Sequence, residues 1–159
     1  MGRTLRIALG ADEVGRELRD AIHAHLVDQR AVPVVCVDVD ADGPGPVDAP
    51  EVAVVVAEGI ARGEFDRGVL VCGSGVGMAI AANKVPGIRA AQCHDPYTAG
   101  HARTSNDAQI LVMGSRVVGT ELATRVVDAW LVAEFEETPR RKGKMAKLDS
   151  IERRYLRPP

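Results

Sequence analysis

Residues Val69–Lys84 read VLVCGSGVGMAIAANK. An apolar run ends in Cys72, glycines follow at Gly73, Gly75 and Gly77, and small apolar residues come next. A short apolar run bounded by glycine predicts a buried strand over 67–72, and the small residues predict a helix from about Val76. A strand that turns through glycines directly into a helix is part of a β-α-β unit, and the pattern recurs on both sides. Towards the N-terminus, LRIALG (5–10) is a strand, and Val14, Leu18, Ile22 and Leu26 mark one helical face at i+4 spacing. VPVVCVDV (32–39) is a second strand, DADGPGPVDAP (40–50) a turn-rich loop, and 51–63 a Val/Ala-rich helix. Towards the C-terminus, IRAAQC (88–93) and AQILVMG (108–114) are strands flanking a helix over 97–105, and GTELATRVVDAWLVAEF (119–135) is the last core helix. Five short apolar strands alternating with helices predict an α/β fold: a three-layer αβα, Rossmann-like, doubly wound five-stranded parallel sheet. This domain spans 1–137. The tail, 138–159, opens with the basic run PRRKGKMAK and continues as a helical arm through Arg154, in the same domain or against a neighbouring subunit. It reads either as a solvated charged face or as an anion-gripping arm.

The 159 residues carry a net charge of −2, so no basic field supports nucleic-acid or anionic-membrane binding. No apolar run nears the ~18 residues of a membrane span, and no signal peptide is expected before Leu5. Three cysteines, Cys36, Cys72 and Cys93, without C-x-x-C spacing, point to a reducing cytoplasm and away from a zinc site.

In open parallel sheets ligands bind at the carboxyl ends of the strands. GADEVG (10–15), CGSGVG (72–77) and the region from RTSNDA (103–108) to GSR (114–116) are expected to bring polar groups there. The glycines are spaced G-x-G-x-G after the third strand. That is not the dinucleotide fingerprint, and the run lacks the G-K-[ST] ending of a P-loop. What remains is a nest of backbone N–H groups suited to negative charge, either a bound phosphate or a transient oxyanion. A cysteine beside oxyanion donors fits proton abstraction next to a carbonyl, with the enediolate held by the nest. The plainer alternative is a buried structural cysteine that ends a strand.

VLVCGSGVGMAIAANKVPGIRAA, with CHDPYTA, SNDAQILVMGSRVVG and VVDAWL, resembles the type B ribose-5-phosphate isomerase and galactose-6-phosphate isomerase family over about 5–135. The resemblance implies aldose–ketose isomerisation of a sugar phosphate through a cis-enediol, without metal or other cofactor. It also implies a homodimer or homotetramer with active sites at the subunit interface. Cys72 matches the family's cysteine base, and Ser74 its hydroxyl residue near the reacting oxygens. Gly73, Gly75, Val76 and Gly77 match the anion hole. A branch of the family places a glutamate base where this chain has Met78. Asp12 matches the aspartate that contacts substrate hydroxyls, a role compatible with capping the following helix. Asn106 matches the asparagine of a His-Asn-Asp segment. Arg116 falls at a phosphate-binding position, and Arg140 and Lys144 align with a C-terminal pair of arginines; a lysine there keeps the charge without the bidentate fork.

Three departures bear on the substrate. Glu13 stands where the family has histidine, and Asp48-Ala49-Pro50 lacks the tyrosine of Asp-Tyr-Pro. Ser105 replaces the histidine assigned to opening the furanose ring. A hydroxyl is a poor acid–base near neutral pH, and His101 or His94 would have to substitute for that histidine. A tetrose 4-phosphate cannot close a furanose, because its O4 carries the phosphate, and it therefore needs no ring-opening group. Family members that isomerise D-erythrulose 4-phosphate are similar to this chain in carrying serine there. The expected substrate pair is D-erythrulose 4-phosphate and D-erythrose 4-phosphate. Alternatives are ribose 5-phosphate isomerisation, or a non-catalytic sugar-phosphate-binding subunit of a hetero-oligomeric isomerase.

Overall fold

The computed structural model describes residues 3–39 and 48–156. The chain alternates β1 (Leu5–Ala11), α1 (Arg16–Asp28), β2 (Val34–Asp38), α2 (Ala49–Ala61), β3 (Arg67–Cys72) and α3 (Val76–Ala82), then β4 (Ala90–Gln92), α4 (Pro96–Asn106), β5 (Ile110–Gly114), α5 (Thr120–Val132) and α6 (Pro139–Tyr155). All pairings are parallel, in the order β2-β1-β3-β5-β4. Right-handed crossovers then fix which face each helix covers. Steps leftward in that order, β1 to β2 and β4 to β5, put α1 and α4 on one face. Rightward steps, β2 to β3 and β3 to β4, put α2 and α3 on the other.

Side-chain alternation along the strands matches this division. Ile7, Leu9, Val69, Val71, Leu111 and Met113 pack with α1, α4 and α5, while Ala8, Leu70, Cys72, Ile110 and Val112 pack with α2 and α3. β3 is buried at every position, as a central parallel strand must be. β2 departs from the expected uniform burial because it lies at the sheet edge, leaving Val35 and Val37 exposed. Val14 is also exposed, since α1 begins only at Arg16; Leu18, Ile22 and Leu26 alone form the buried face. Residues 40–47 of the expected loop lie outside the described residues, and Ala49 and Pro50 already belong to α2. Pro50, Pro96 and Pro139 all fall in first helical turns, where a missing N–H costs nothing.

The basic run of the tail lies inside α6, which buries no residue. It is tied down by polar contacts: Gly87 N–H donates to Glu152 Oε1 (2.9 Å) and Lys144 Nζ to Ser105 Oγ (2.6 Å). No helix among the described residues is long and apolar enough to cross a membrane.

Candidate active site

β1 and β3 are neighbours whose onward connections leave in opposite directions, and this makes the crevice beyond their carboxyl ends a topological switch point. Cys72, the last residue of β3, is buried there on the α2/α3 side. Its Sγ accepts the N–H of Gly75 at 3.1 Å. Gly75 is in the left-handed region, φ 80°, which glycine adopts without penalty. A sulfur anion accepts such a bond more strongly than a thiol. The other two thiols have no comparable setting: burial, reinforced by Asp38 and Asp95 respectively, pushes Cys36 and Cys93 each up to about 11.

The loop after Cys72 is held from β5. Ser115 N–H donates to the Cys72 carbonyl (2.8 Å) and Arg116 N–H to that of Gly73 (3.0 Å). The side chain of Arg116 passes over Gly73, where a Cβ would lie 3.8 Å from Cδ, Nε and Cζ. Ser74 is exposed at the mouth, its Oγ accepting Val76 N–H at 3.3 Å. Two expected oxyanion donors, the Gly75 and Val76 N–H groups, are therefore engaged within the loop itself. Gly77, exposed in the first turn of α3, carries an N–H beyond the reach of any helical carbonyl. With only seven residues, α3 presents these nearby N–H groups and not a long-helix field.

Asp12 follows β1, and its Oδ1 accepts Gly15 N–H at 2.8 Å. This closes the turn before α1, whose N-cap is Gly15 without a side-chain cap, so Asp12 does not cap the helix as expected. Gly15 is pressed against β3: a Cβ there would meet the Val71 carbonyl oxygen at 2.1 Å. Glu13 is exposed beside Asp12, and Ser115 Oγ donates to the Val14 carbonyl at 3.1 Å, linking the β1 and β5 loops. Asp12, Glu13, Cys72, Ser74 and Arg116 thus share the carboxyl edge.

Ser105 and Asn106 do not share it, contrary to the expectation for RTSNDA. They end α4 just before β5 and so lie at the amino edge of the sheet. The 11 residues of α4 put about 16 Å of helix between its ends. Ser105 meets the tail instead. A cavity of about 380 Å³ is lined by His101, Ser105, Glu136, Arg140, Arg141 and Lys144. In it Lys144 Nζ donates to Ser105 Oγ, and Arg141 pairs with Glu136. Asn106 gives its carbonyl to Arg89 Nε (2.9 Å). Asp107, left-handed at φ 47°, holds the turn by pairing with Arg89 and Arg103.

Two residues of these two clusters, Gln92 and Arg141, are not legible from motif matching, and His94 is expected only as a substitute for the ring-opening histidine. Gln92 ends β4 and donates from Nε2 to the Ser74 carbonyl at 2.8 Å. His94 accepts Gly114 N–H on Nε2 (2.9 Å), which places a neutral ring's proton on Nδ1. Arg141 lines the tail cavity. For Gln92 a usable signal exists, a polar residue closing an apolar strand at its carboxyl end. His101 stacks on Tyr97 with ring centroids 5.7 Å apart. Among the described residues no group of three or more His, Cys, Asp or Glu is arranged to hold a metal ion.

A profile of the Ribose/Galactose Isomerase family matches residues 7–148. The chain is 48% identical over 132 residues to the D-erythrulose-4-phosphate isomerase of Pectobacterium atrosepticum, covering 83% of this chain and 86% of that protein. It is 46% identical over 149 residues to the ribose-5-phosphate isomerase B of Escherichia coli, covering 94% and 97%. The solved ribose-5-phosphate isomerase B of Clostridium thermocellum superposes with a TM-score of 0.84 at 44% identity, covering 95% of this chain and 99% of that one. Sequence, sheet topology and a cysteine-headed glycine loop at the switch point agree: the chain belongs to the ribose/galactose isomerase family of sugar-phosphate aldose–ketose isomerases.

Proposed function

We propose that the protein interconverts D-erythrulose 4-phosphate and D-erythrose 4-phosphate, with Cys72 as the base. The Cys72 thiolate takes a proton from C1 of the ketose, and the C1–H electron pair forms the enediolate double bond. The proton returns from sulfur to C2, while the hydroxyl proton passes from O1 to O2. Ser74 and the Gly77 N–H, which no loop acceptor engages, face the enediolate oxygens, where one well-placed donor is typically worth ~10²–10³ in rate, while the Gly75 N–H stays on the sulfur. Asp12 and Glu13 take substrate hydroxyls.

The observation that carries the choice of substrate is the 2.6 Å bond from Lys144 Nζ to Ser105 Oγ. The position expected to supply a ring-opening acid–base holds a hydroxyl already committed to a cation. A substrate that exists as an open chain needs nothing more there.

The assembly is a homodimer or homotetramer whose sites lie between subunits. Cys72 and Arg116 sit at one edge of the sheet, and Ser105, Asn106, Arg140 and Lys144 at the other. A second copy related by a two-fold axis brings one set to the other, so that Arg116, Arg140 and Lys144 grip one phosphate. On this reading the tail, 138–159, functions as an arm serving the neighbouring subunit's site. Three free thiols fit a cytoplasmic location.

Assays on D-erythrulose 4-phosphate and ribose 5-phosphate, side by side, test the substrate. A higher kcat/KM on the tetrulose is expected. A clearly higher value on the pentose would overturn the assignment and make His101, which lines the Ser105 cavity, the ring-opening candidate.

A further inference from the structure

Three successive carbonyls lead out of β3, and each accepts one hydrogen bond. Those of Cys72 and Gly73 take main-chain N–H groups of Ser115 and Arg116, which any sequence would provide. That of Ser74 takes a side chain, Gln92 Nε2 at 2.8 Å, reaching across from the end of β4. The same Ser74–Gly75 peptide presents its other end, the Gly75 N–H, to Cys72 Sγ at 3.1 Å. A trans peptide is planar with its C=O and N–H directed oppositely, so a bond that fixes the carbonyl also aims the N–H. The tie matters at this peptide because Gly75, at φ 80°, has no Cβ to restrict rotation of the plane. A donor on the carbonyl also polarises the peptide and strengthens its N–H as a donor.

We propose that Gln92 is a positioning residue for Cys72, holding the Ser74–Gly75 peptide so that the Gly75 N–H remains on the sulfur. Gln92 acts on the sulfur through one peptide unit. The inference rests on Cys72 being the base. The side chain is exposed, so its replacement leaves the core packing untouched.

Gln92→Met preserves length without a donor, Gln92→Glu places only acceptors against the Ser74 carbonyl, and Gln92→Lys restores a donor. Each is assayed on whichever of the two sugar phosphates the wild type turns over faster. Thermal melting and the pH profile of Cys72 alkylation by iodoacetamide, followed by peptide mapping, accompany the assay. For Gln92→Met, kcat is expected to fall about three- to tenfold, the net worth of one hydrogen bond, with KM within about twofold. The alkylation profile moves to higher pH relative to wild type, and the melting temperature stays unchanged. Gln92→Glu falls further, and Gln92→Lys recovers most of kcat. Wild-type kcat and an unmoved alkylation profile in Gln92→Met, beside an inactive Cys72→Ser, would overturn the role of Gln92 alone. Wild-type turnover by Cys72→Ser would overturn the assignment of the base itself, whatever the Gln92 variants do.

Discussion

Gly114→Ala is the sharpest test of how the loop after Cys72 is held and of its proposed role. Gly114 ends β5 in register with Cys72 of β3, and a Cβ there would lie 2.6 Å from both the carbonyl carbon and oxygen of Ser74 and 2.8 Å from its Cα. All three are backbone atoms, and none can swing aside like a side chain. Ordinary contact begins at 3.4 Å, so the Ser74 peptide must retreat by about 0.8 Å, the difference between 3.4 and 2.6. That peptide carries the N–H on Cys72 Sγ. A misplacement near 1 Å typically costs ~10²-fold in rate, and kcat/KM should drop by about that factor. Overpacking also costs about 1–3 kcal/mol, or roughly 2–12 °C in Tm for a domain of this size. Gly114 is not among the positive-φ glycines, so none of the effect is backbone strain. Gly59→Ala provides the control: its Cβ would meet the Phe65 ring at 2.7 Å, a similar overlap with a side chain remote from the loop. That variant should lose stability while keeping kcat/KM. A Gly114→Ala enzyme within about threefold of wild-type kcat/KM, or a Gly59→Ala enzyme equally impaired, would refute the reasoning.

Two further outcomes follow from other parts of the molecule. If the sites are shared between subunits, Cys72→Ala and the double variant Arg140→Ala/Lys144→Ala are each inactive, yet their unfolded and co-refolded mixture recovers about one quarter of wild-type activity. Half the dimers are then mixed and half their sites intact, and no recovery on mixing would place the whole site within one chain. Asp66 is held by Arg6, which donates from its backbone N–H (2.8 Å) and Nε (3.1 Å), and by Arg3 Nη2 (2.6 Å). The Arg6 side chain above all keeps its carboxyl below the usual range. A depressed carboxylate stabilises the fold above about pH 4 and loses that contribution as pH falls through the folded-state value. Asp66→Asn should therefore cost about 1–2 kcal/mol at pH 7 in urea melts, with the gap to wild type closing below about pH 4. A gap that does not change with pH would exclude the clasp as its source.

Local patterning carried most of the fold. β3 ends where the apolar run does, because a central parallel strand is buried on both faces, but it begins earlier, at Arg67, whose buried guanidinium is satisfied by the Leu131 carbonyl and Glu134. β2 is equally apolar in composition, but edge placement comes from strand order, which no short window of sequence contains. Motif spacing groups Ser105 with the strand-end loops, yet residues that precede a parallel strand lie at its amino edge, so the strand pattern at 108–114 already implies its place.

By itself the sequence determined five parallel strands, their helices, and a cysteine-headed glycine loop at a carboxyl strand end. These depend on periods of 2 and 3.6 residues and on glycine at turns, all properties of neighbouring residues. Only the tertiary structure decided what holds that loop and where the tail cations lie. Gln92 reaches the Ser74 carbonyl across 18 residues of chain, and Lys144 reaches Ser105 across 39. Such bonds form because packed strands and helices bring remote segments within 3 Å, a distance that spacing along the chain does not encode.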